Sequence, residues 1–136
     1  MDALTCLKTR RSIRAYEDRQ VDEALLAQVL EAGMYAPTGM GRQSPKMVVV
    51  QDRATRDQLS RMNAAVMNST GDPFYGAPTV IVVLADPAVG TWREDGSLVM
   101  GNLMNAAHAV GLGSCWIHRA YEEFQSPEGK ALLKKW

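Results

Sequence analysis

Two short apolar runs constrain the fold of this chain more than any other feature. Residues 47–50 read Met-Val-Val-Val, and residues 78–85 are rich in valine and isoleucine. Both runs are too short for a buried helix, so they predict strands. Neither run alternates between apolar and polar side chains. Strands of that kind suit a sheet that is covered on both faces, and helices must supply the cover.

The spacing of apolar residues predicts those helices. Helical periodicity is present over residues 22–36, 53–67, 96–110 and 127–136. The first of these segments has Leu25, Leu26 and Val29 on one stripe, and Pro37 ends it. Ser126 suits the N-cap of the last one, because Pro127 would then take the first helical position.

The predicted helix over residues 96–110 is apolar nearly all round. A helix without a polar face belongs at the centre of a domain or in a subunit interface. Gly111 and Gly113 would close this helix and open a third strand, over residues 114–117. Residues 38–45 and 68–77 have the composition of loops.

Length and charge exclude several classes of protein. The 136 residues are enough for one domain and too few for two, since domains usually have roughly 100 to 150 residues. Fifteen Lys and Arg balance fifteen Asp and Glu, so no net charge steers the protein to nucleic acid or to an anionic membrane. No apolar stretch approaches the roughly 20 residues of a membrane span, and the first eight residues lack the pattern of a signal peptide. A cytoplasmic location is expected by default.

Metal binding and dithiol chemistry are not expected. Cys6 and Cys115 lie far apart in the sequence and have no ligand-like spacing to other cysteines or histidines. Both are predicted to be small buried residues. His108 falls inside an apolar helix and is predicted to be a hydrogen-bonded packing residue. Neither histidine is assigned to a metal.

A basic run is the first feature that points to chemistry. Residues 10–14 read Arg-Arg-Ser-Ile-Arg. The guanidinium groups of Arg10 and Arg11 and the hydroxyl of Ser12 could surround a terminal phosphate with charge-assisted hydrogen bonds. Taken alone, the run also fits the solvated side of a helix end. A phosphate- or RNA-binding module is disfavoured, because such modules combine net positive charge with interleaved exposed aromatic residues.

Two later segments complete a three-part pattern. Residues 36–45 read Ala-Pro-Thr-Gly-Met-Gly-Arg-Gln-Ser-Pro, and residues 106–117 read Ala-Ala-His-Ala-Val-Gly-Leu-Gly-Ser-Cys-Trp-Ile. Together with the basic run they resemble the nitroreductase family of FMN-dependent oxidoreductases. The resemblance implies an α+β fold, a dimeric three-layer α/β/α sandwich with a mostly antiparallel central sheet flanked by helices. Residues 1–136 would form a single FMN-binding domain.

By this resemblance the first segment would bind the cofactor. Arg10, Arg11 and Ser12 match the family positions that hold the FMN phosphate. Arg14 matches the position that reaches the pyrimidine edge of the ring, where a cation stabilises the negative charge left by hydride delivery to N5. Arg14 is therefore the predicted catalytic residue. The alternative for Arg14 is an exposed surface arginine.

The second segment resembles a family loop that reaches the flavin from the opposite subunit. Its match is incomplete, because Gly replaces the usual Asn and the family's Pro-Trp pair is absent. Two glycines still permit a close backbone approach or a positive φ, so the loop could bind a ligand through its amides. A simple turn between a helix and a strand is the alternative. The predicted ligand-binding residues of this loop are Pro37, Thr38, Gly39, Gly41 and Gln43.

The third segment resembles the family's passage from a helix to the flavin ring. By position, Trp116, Ile117 and His118 could line the ring, with Arg119 beside them. No role as a proton donor is assigned to His118, because hydride exchange at N5 needs no protein acid.

The resemblance implies transfer of hydride from NADH or NADPH through FMN to a small electrophilic acceptor, such as a nitroaromatic compound, a quinone or an enone. It also implies a homodimer with the flavin at the interface. A non-catalytic or degenerate flavin-binding member of the family is the alternative. Family members usually continue into a further strand and a basic tail, so the chain is expected to be C-terminally incomplete relative to the family.

Overall fold

A computed structural model describes all 136 residues of the chain. Six α-helices and two strands follow one another in this order: α1 (Ala3–Thr9), α2 (Glu23–Met34), β1 (Lys46–Val50), α3 (Arg53–Val66), β2 (Val80–Leu84), α4 (Trp92–Ala109), α5 (Ala120–Gln125) and α6 (Pro127–Lys135). A short 3-10 turn, Gly39–Gly41, lies in the loop between α2 and β1.

The two predicted valine-rich strands pair with each other. β1 and β2 are antiparallel, with Lys46 opposite Leu84. Successive side chains of a strand point to opposite faces, so a continuous apolar run supplies both sides of a sheet. Val82 belongs to the core cluster on one face, and its neighbours Ile81 and Val83 pack against a separate cluster on the other. The prediction of a sheet covered on both faces is confirmed.

Helices α2 and α4 cover one face of the sheet. Val29 of α2 is buried against Val99, Leu103 and Ala107 of α4. Gly33 allows the two helices to approach closely, because a Cβ at that position would lie 2.7 Å from Leu103 Cδ2. The predicted apolar stripe of α2 and the central place of α4 in the domain are therefore confirmed.

Helices α3, α5 and α6 cover the other face and complete three layers. Their apolar side chains join those of the strands and of the loop after α3 in one cluster: Val50, Leu59, Met62, Phe74, Val82, Phe124 and Leu132. The Ser126 hydroxyl accepts a hydrogen bond from the Gly129 amide at 3.0 Å. The predicted N-cap of the last helix is thus confirmed.

Helix α4 begins four residues before its predicted start at residue 96. Residues 93–95, which precede the predicted start, read Arg-Glu-Asp. Glu94 and Asp95 instead lie in the first turn of the helix, where the positive end of the helix dipole favours acidic side chains. These charges therefore extend the helix.

The third predicted strand, over residues 114–117, is wrong. Ser114 alone forms a bridge, which is parallel and joins it to Ser12. A strand needs backbone partners along its length, and here the neighbouring segment of the same chain offers a single bridge. The chain then enters α5, which the sequence did not predict because six residues are too few to show helical periodicity.

Both cysteines are free. Cys6 is buried as predicted, whereas Cys115 is only half-buried because its segment lies outside the sheet. His108 Nε2 lies 2.9 Å from the Thr9 hydroxyl, which confirms its hydrogen-bonded packing role between α4 and α1. None of the helices combines the length and apolar character needed to cross a lipid bilayer. No three His, Cys, Asp or Glu side chains cluster closely enough to hold a metal ion.

Candidate functional site

The basic run begins at the end of α1. Arg10 is the C-cap of this helix, and its backbone amide donates to the Cys6 carbonyl. The Arg10 Nη1 atom is buried and has no hydrogen-bond partner within the chain. A buried guanidinium N–H without an acceptor carries a large desolvation cost, so this group needs a further acceptor. The most specific sign of an anion site is therefore at Arg10.

The neighbouring basic side chains are more accessible. Arg11 is exposed, and its Nη1 donates to the carbonyls of Lys8 at 3.1 Å and of Arg10 at 2.8 Å. Ser12 and Arg14 are also exposed, and neither side chain makes a hydrogen bond within the chain. The Ser12 hydroxyl and the Arg14 guanidinium therefore remain available to a ligand.

The structure places the first segment beside the third. Ser12 and Ser114 form the parallel bridge, and the Ile13 amide donates to the Ser114 carbonyl at 3.0 Å. Gly113 makes this approach possible, because a Cβ there would lie 3.1 Å from Ile13 side-chain atoms. The basic run and the start of the 114–119 segment are thus neighbours, as a shared site requires.

The third segment presents a mixed surface. Trp116 is 46% exposed and His118 is exposed, whereas Ile117 packs against the core cluster under α3. Arg119 has a left-handed backbone with φ of 81°, which side-chain-bearing residues rarely adopt. This segment is neither helix nor strand, so other contacts must fix its backbone.

A buried polar cluster beneath the third segment provides those contacts. Asn63 of α3 donates to the His118 carbonyl at 2.9 Å and to Glu123 Oε2 at 2.7 Å, and its Oδ1 accepts from Arg119 Nε at 3.0 Å. Burial raises the pKa of the Glu123 carboxyl to about 7, and nearby Glu122 adds to that effect. The Asn63 hydrogen bond and the Arg119 charge lower this pKa and are outweighed.

This cluster was not predicted from the sequence. Its one sequence signal is that Asn63 interrupts the apolar stripe of α3, directly after Met62. A polar residue at a core-facing helical position predicts a buried hydrogen-bond partner, but the identity of the partner depends on tertiary contacts.

The second segment folds as a tight loop with its own hydrogen bonds. The Thr38 hydroxyl bonds to Gln43 Oε1 at 2.6 Å and accepts from the Gln43 amide at 2.9 Å. Gln43 Nε2 donates to the Met34 carbonyl at 2.8 Å. Gly41 has a φ of 62°, as the sequence anticipated, and Met40 has a φ of 57°. Pro37 is exposed beside the loop.

The start of α4 anchors this loop. The Gly39 amide donates to the buried carboxylate of Asp95 at 2.9 Å, and the Thr91 hydroxyl donates to the other Asp95 oxygen, also at 2.9 Å. Side-chain atoms of Thr91 occupy the place where a Cβ on Gly39 would lie, so the close approach at this glycine is to Thr91 of the same chain. Asp95 is a second residue that the sequence analysis missed.

A cleft of about 370 Å³ opens beside the loop. It is large enough for part of a small ligand. Its lining combines two predicted site residues of the loop with residues of α2, β1, α4 and the loop ends: Gly33, Met34, Ala36, Thr38, Gln43, Pro45, Met47 and Val99.

Within one chain the loop and the basic run lie at opposite ends of α4. Gly39 contacts Asp95 in the first turn, whereas α1 contacts the last turns through Thr9 and His108. His108 follows Asp95 by thirteen residues. At about 1.5 Å of rise per residue, the two contact points are separated by about 20 Å along the helix. The structure therefore brings the first and third segments together and keeps the second apart.

Comparison with known proteins supports the same family. The model of the nitroreductase family matches residues 7–124. A protein of Methanothermobacter thermautotrophicus, provisionally named an NADH dehydrogenase/NAD(P)H nitroreductase, is 34% identical over 120 residues, which cover 85% of this chain and 60% of the relative. An NADH dehydrogenase of Thermus thermophilus is 40% identical over 86 residues, which cover 63% of this chain and 40% of that protein. The chain thus spans less than two thirds of the length of these relatives.

A solved structure shares the fold over nearly the whole chain. The nitroreductase with bound FMN from Bacteroides fragilis superposes with a TM-score of 0.91 at 30% identity, covering 99% of this chain and 79% of that one. The family match includes the basic run, the loop and the 114–119 segment, and the shared fold includes the three layers described above. The chain belongs to the nitroreductase family.

Proposed function

We propose that this chain is an FMN-dependent oxidoreductase that uses NADH or NADPH to reduce a small electrophilic acceptor. The observation that carries the proposal is the buried Arg10 Nη1 atom, which lacks an acceptor within the chain. It lies in the segment that pairs with the 114–119 segment. The names of the relatives and the FMN bound to the Bacteroides fragilis nitroreductase support the same activity.

The residues present fit the phosphate of FMN. Arg10 offers a buried N–H, Arg11 an exposed guanidinium, and Ser12 a free hydroxyl. Two guanidinium groups and a hydroxyl can satisfy the oxygens of a phosphate dianion through charge-assisted hydrogen bonds. No Gly-x-Gly-x-x-Gly sequence follows either strand, so the features of an FAD-binding dinucleotide fold are missing.

The other residues of the first and third segments would then serve the ring. The chemistry that FMN supplies when bound is hydride transfer between the nicotinamide cofactor and the acceptor. Arg14 has no competing hydrogen bond within the chain, so its charge is available at the pyrimidine edge, where it favours added electrons. Trp116 and His118, with the backbone of Ile117 between them, would provide the surface beside the ring.

The second segment would complete the site from a partner subunit. The loop and the basic run of one chain contact α4 at points about 20 Å apart, so the loop does not lie beside the basic run of its own chain. A two-fold homodimer would supply the second loop from the other copy, with the flavin at the interface. The residues offered by that loop are Pro37, Thr38, Gly39, Gly41 and Gln43.

The acceptor in this proposal is a nitroaromatic compound, a quinone or an enone. All three accept a hydride at an electron-poor atom and can draw protons from solvent, so no protein acid is required. This suits a site in which His118 is exposed and has no side-chain partner.

One observation favours a second candidate, a non-catalytic flavin-binding protein. Both ends of the Gln43 side-chain amide are engaged within the loop, with Thr38 and Met34, and Gly41 has no side chain to offer. Neither residue would then offer the flavin a free polar side-chain group. Stopped-flow measurement of flavin bleaching by NADH or NADPH separates the two candidates, since the second predicts bound flavin without bleaching.

The primary test is the identity of the bound flavin. Heat release followed by chromatography should yield FMN, and Arg10→Ala should weaken FMN binding by roughly tenfold or more, since a charged hydrogen bond contributes roughly 1.5 to 3 kcal/mol. Lys8→Ala is the matched control, because Lys8 is an exposed cation on the same helix end. Recovery of FAD, or no flavin after reconstitution, would refute the proposal.

A further inference from the structure

A single side-chain amide connects α3 to the third segment. Asn63 is 1% exposed, and it uses both amide hydrogens and the amide oxygen: one hydrogen goes to the His118 carbonyl, the other to Glu123 Oε2, and the oxygen accepts from Arg119 Nε. Flipping the amide would break all of these bonds. The orientation of Asn63 is therefore fixed by its surroundings.

The backbone at His118 and Arg119 needs such a support. It belongs to no helix or strand, and the left-handed conformation of Arg119 costs free energy unless other contacts compensate. The Arg119 carbonyl starts α5 by accepting from the Glu123 amide at 3.1 Å. The Asn63 bonds are thus the side-chain contacts that tie the His118 peptide to the core.

The cost of the buried cluster argues against a purely structural role. Leu59, Met62 and Phe124 belong to the core cluster at this place, so apolar residues at both positions 63 and 123 would pack there without hydrogen bonds to satisfy. Glu123 Oε1 is also buried and has no partner within the chain. A polar cluster in an apolar core is costly, and what it provides here is a defined backbone position at the surface.

We propose that Asn63 is a positioning residue: it fixes the backbone of residues 117–119 against the flavin, and Glu123 holds the Asn63 amide in its working orientation. This inference rests on the proposed function, which places that segment beside the ring. Asn63 itself does not touch the cofactor. Its effect is transmitted through the His118 carbonyl and the Arg119 side chain.

The test uses a double substitution, Asn63→Leu with Glu123→Met. Removing only one partner would leave the other buried without a hydrogen bond and could unfold the protein, whereas replacing both by apolar groups of similar shape can be nearly neutral. The double variant should fold and bind FMN. Its flavin reduction at saturating NADH should slow by roughly tenfold or more, because small displacements at a reacting centre are costly.

Amide hydrogen exchange of the flavin-free protein gives an independent readout. Exchange of the α5 amides, of which that of residue 123 donates to the Arg119 carbonyl, should rise by roughly tenfold in the double variant, because the backbone at Arg119 loses its restraint. Asn102→Leu is the matched control: it removes a similar amide-to-carbonyl bond, to Ala32 at 2.8 Å, in the other helical layer. The control should leave both exchange in α5 and flavin reduction unchanged.

The outcomes separate the two proposals. A folded double variant with wild-type exchange and wild-type flavin reduction overturns the role of Asn63. If the wild-type protein binds no FMN, the proposed function fails, and exchange alone decides whether Asn63 positions the segment. Raised exchange with unchanged flavin reduction would show a structural role only and would also overturn the inference.

Discussion

The carboxylate of Asp95 and the backbone amide of Gly39 meet at 2.9 Å, inside the protein and fifty-six residues apart in sequence. Asp95 is 1% exposed, and its other oxygen accepts from the Thr91 hydroxyl. No cationic side chain forms an ion pair with it. The loop that would reach a partner's flavin therefore takes its position from a hydrogen-bonded carboxylate at the start of α4.

Asp95→Ala should destabilise the protein by roughly 1 to 3 kcal/mol, because it leaves the Gly39 amide and the Thr91 hydroxyl without their acceptor. Chemical denaturation measures this loss. Glu94→Ala is the control, since Glu94 is exposed in the same helical turn and contributes less than about 1 kcal/mol through the helix dipole. Equal losses in the two variants would show that the Asp95 contacts contribute nothing beyond its charge.

Arg14→Ala should lower the midpoint potential of bound FMN by some tens of millivolts while leaving FMN bound. The reason is electrostatic, since a hydrogen bond to a charged group contributes roughly 1.5 to 3 kcal/mol and about 1.4 kcal/mol corresponds to about 30 mV for two electrons. Redox titration measures the shift. Arg10→Ala should instead weaken FMN affinity with little change in potential. Identical effects of the two substitutions would mean that the arginines form one undivided anion site.

The free energy of unfolding should fall as the pH rises from about 4.5 to about 7, and Glu123→Gln should remove that fall. Burial raises the pKa of the folded Glu123 carboxyl from 4.5 to about 7, so the folded state retains a proton that the unfolded state has lost. By linkage, roughly 2 kcal/mol is lost across this range, allowing for partial solvent screening.

Gln is the matched replacement because it can still accept from Asn63 and cannot ionise. The charged neighbours of Glu123, Arg119 and Glu122, are the same residues in the variant and in the wild type. The measurement is denaturant unfolding at several pH values. A wild-type free energy of unfolding that is flat between pH 5 and 7 would contradict the expectation.

Asp72→Asn should cost roughly 1 to 3 kcal/mol at neutral pH, because the buried Arg56 guanidinium loses its 2.6 Å partner. Burial tends to raise the pKa of Asp72, but hydrogen bonds from Arg56, Ser60 and two backbone amides lower it to about 2. The stabilisation is present above about 3.8 and is lost as the pH falls through about 2. Acid unfolding should therefore become flatter in the variant, and Asp57→Asn, at a more peripheral partner of Arg56, should have the smaller effect.

The wild-type protein should sediment at about twice the 14.9 kDa chain mass, and Leu98→Glu should shift it toward the monomer and release flavin. Leu98 is 47% exposed on α4, the helix whose apolar residues predicted an interface, so a charge there would oppose burial against a second copy. Leu133→Glu is the control, because Leu133 is 37% exposed on α6 in the other layer. A wild-type monomer that retains flavin would refute the dimer.

Local patterns in the sequence were sufficient to predict both strands, four of the six helices and the family resemblance. Apolar runs and helical stripes depend on neighbouring residues, which is why α2 and α3 matched to within about two residues. The segment at 114–117 failed because strand formation depends on a distant partner, and only Ser12 supplies one. Asp95 and Asn63 escaped prediction for the same reason, since a polar residue on a helix does not reveal which carbonyl or amide it will meet.

The distance along α4 between the points that Gly39 and Thr9 contact has a thermodynamic consequence. If each flavin needs the loop of one copy and the basic run of another, cofactor binding and subunit association are reciprocally linked: each strengthens the other by the same factor. Dilution of the protein should therefore weaken its apparent affinity for FMN, and excess FMN should hold the pair together at concentrations where the empty chains separate. The spacing along one helix would thus make the fraction of chains that carry flavin depend on the protein concentration.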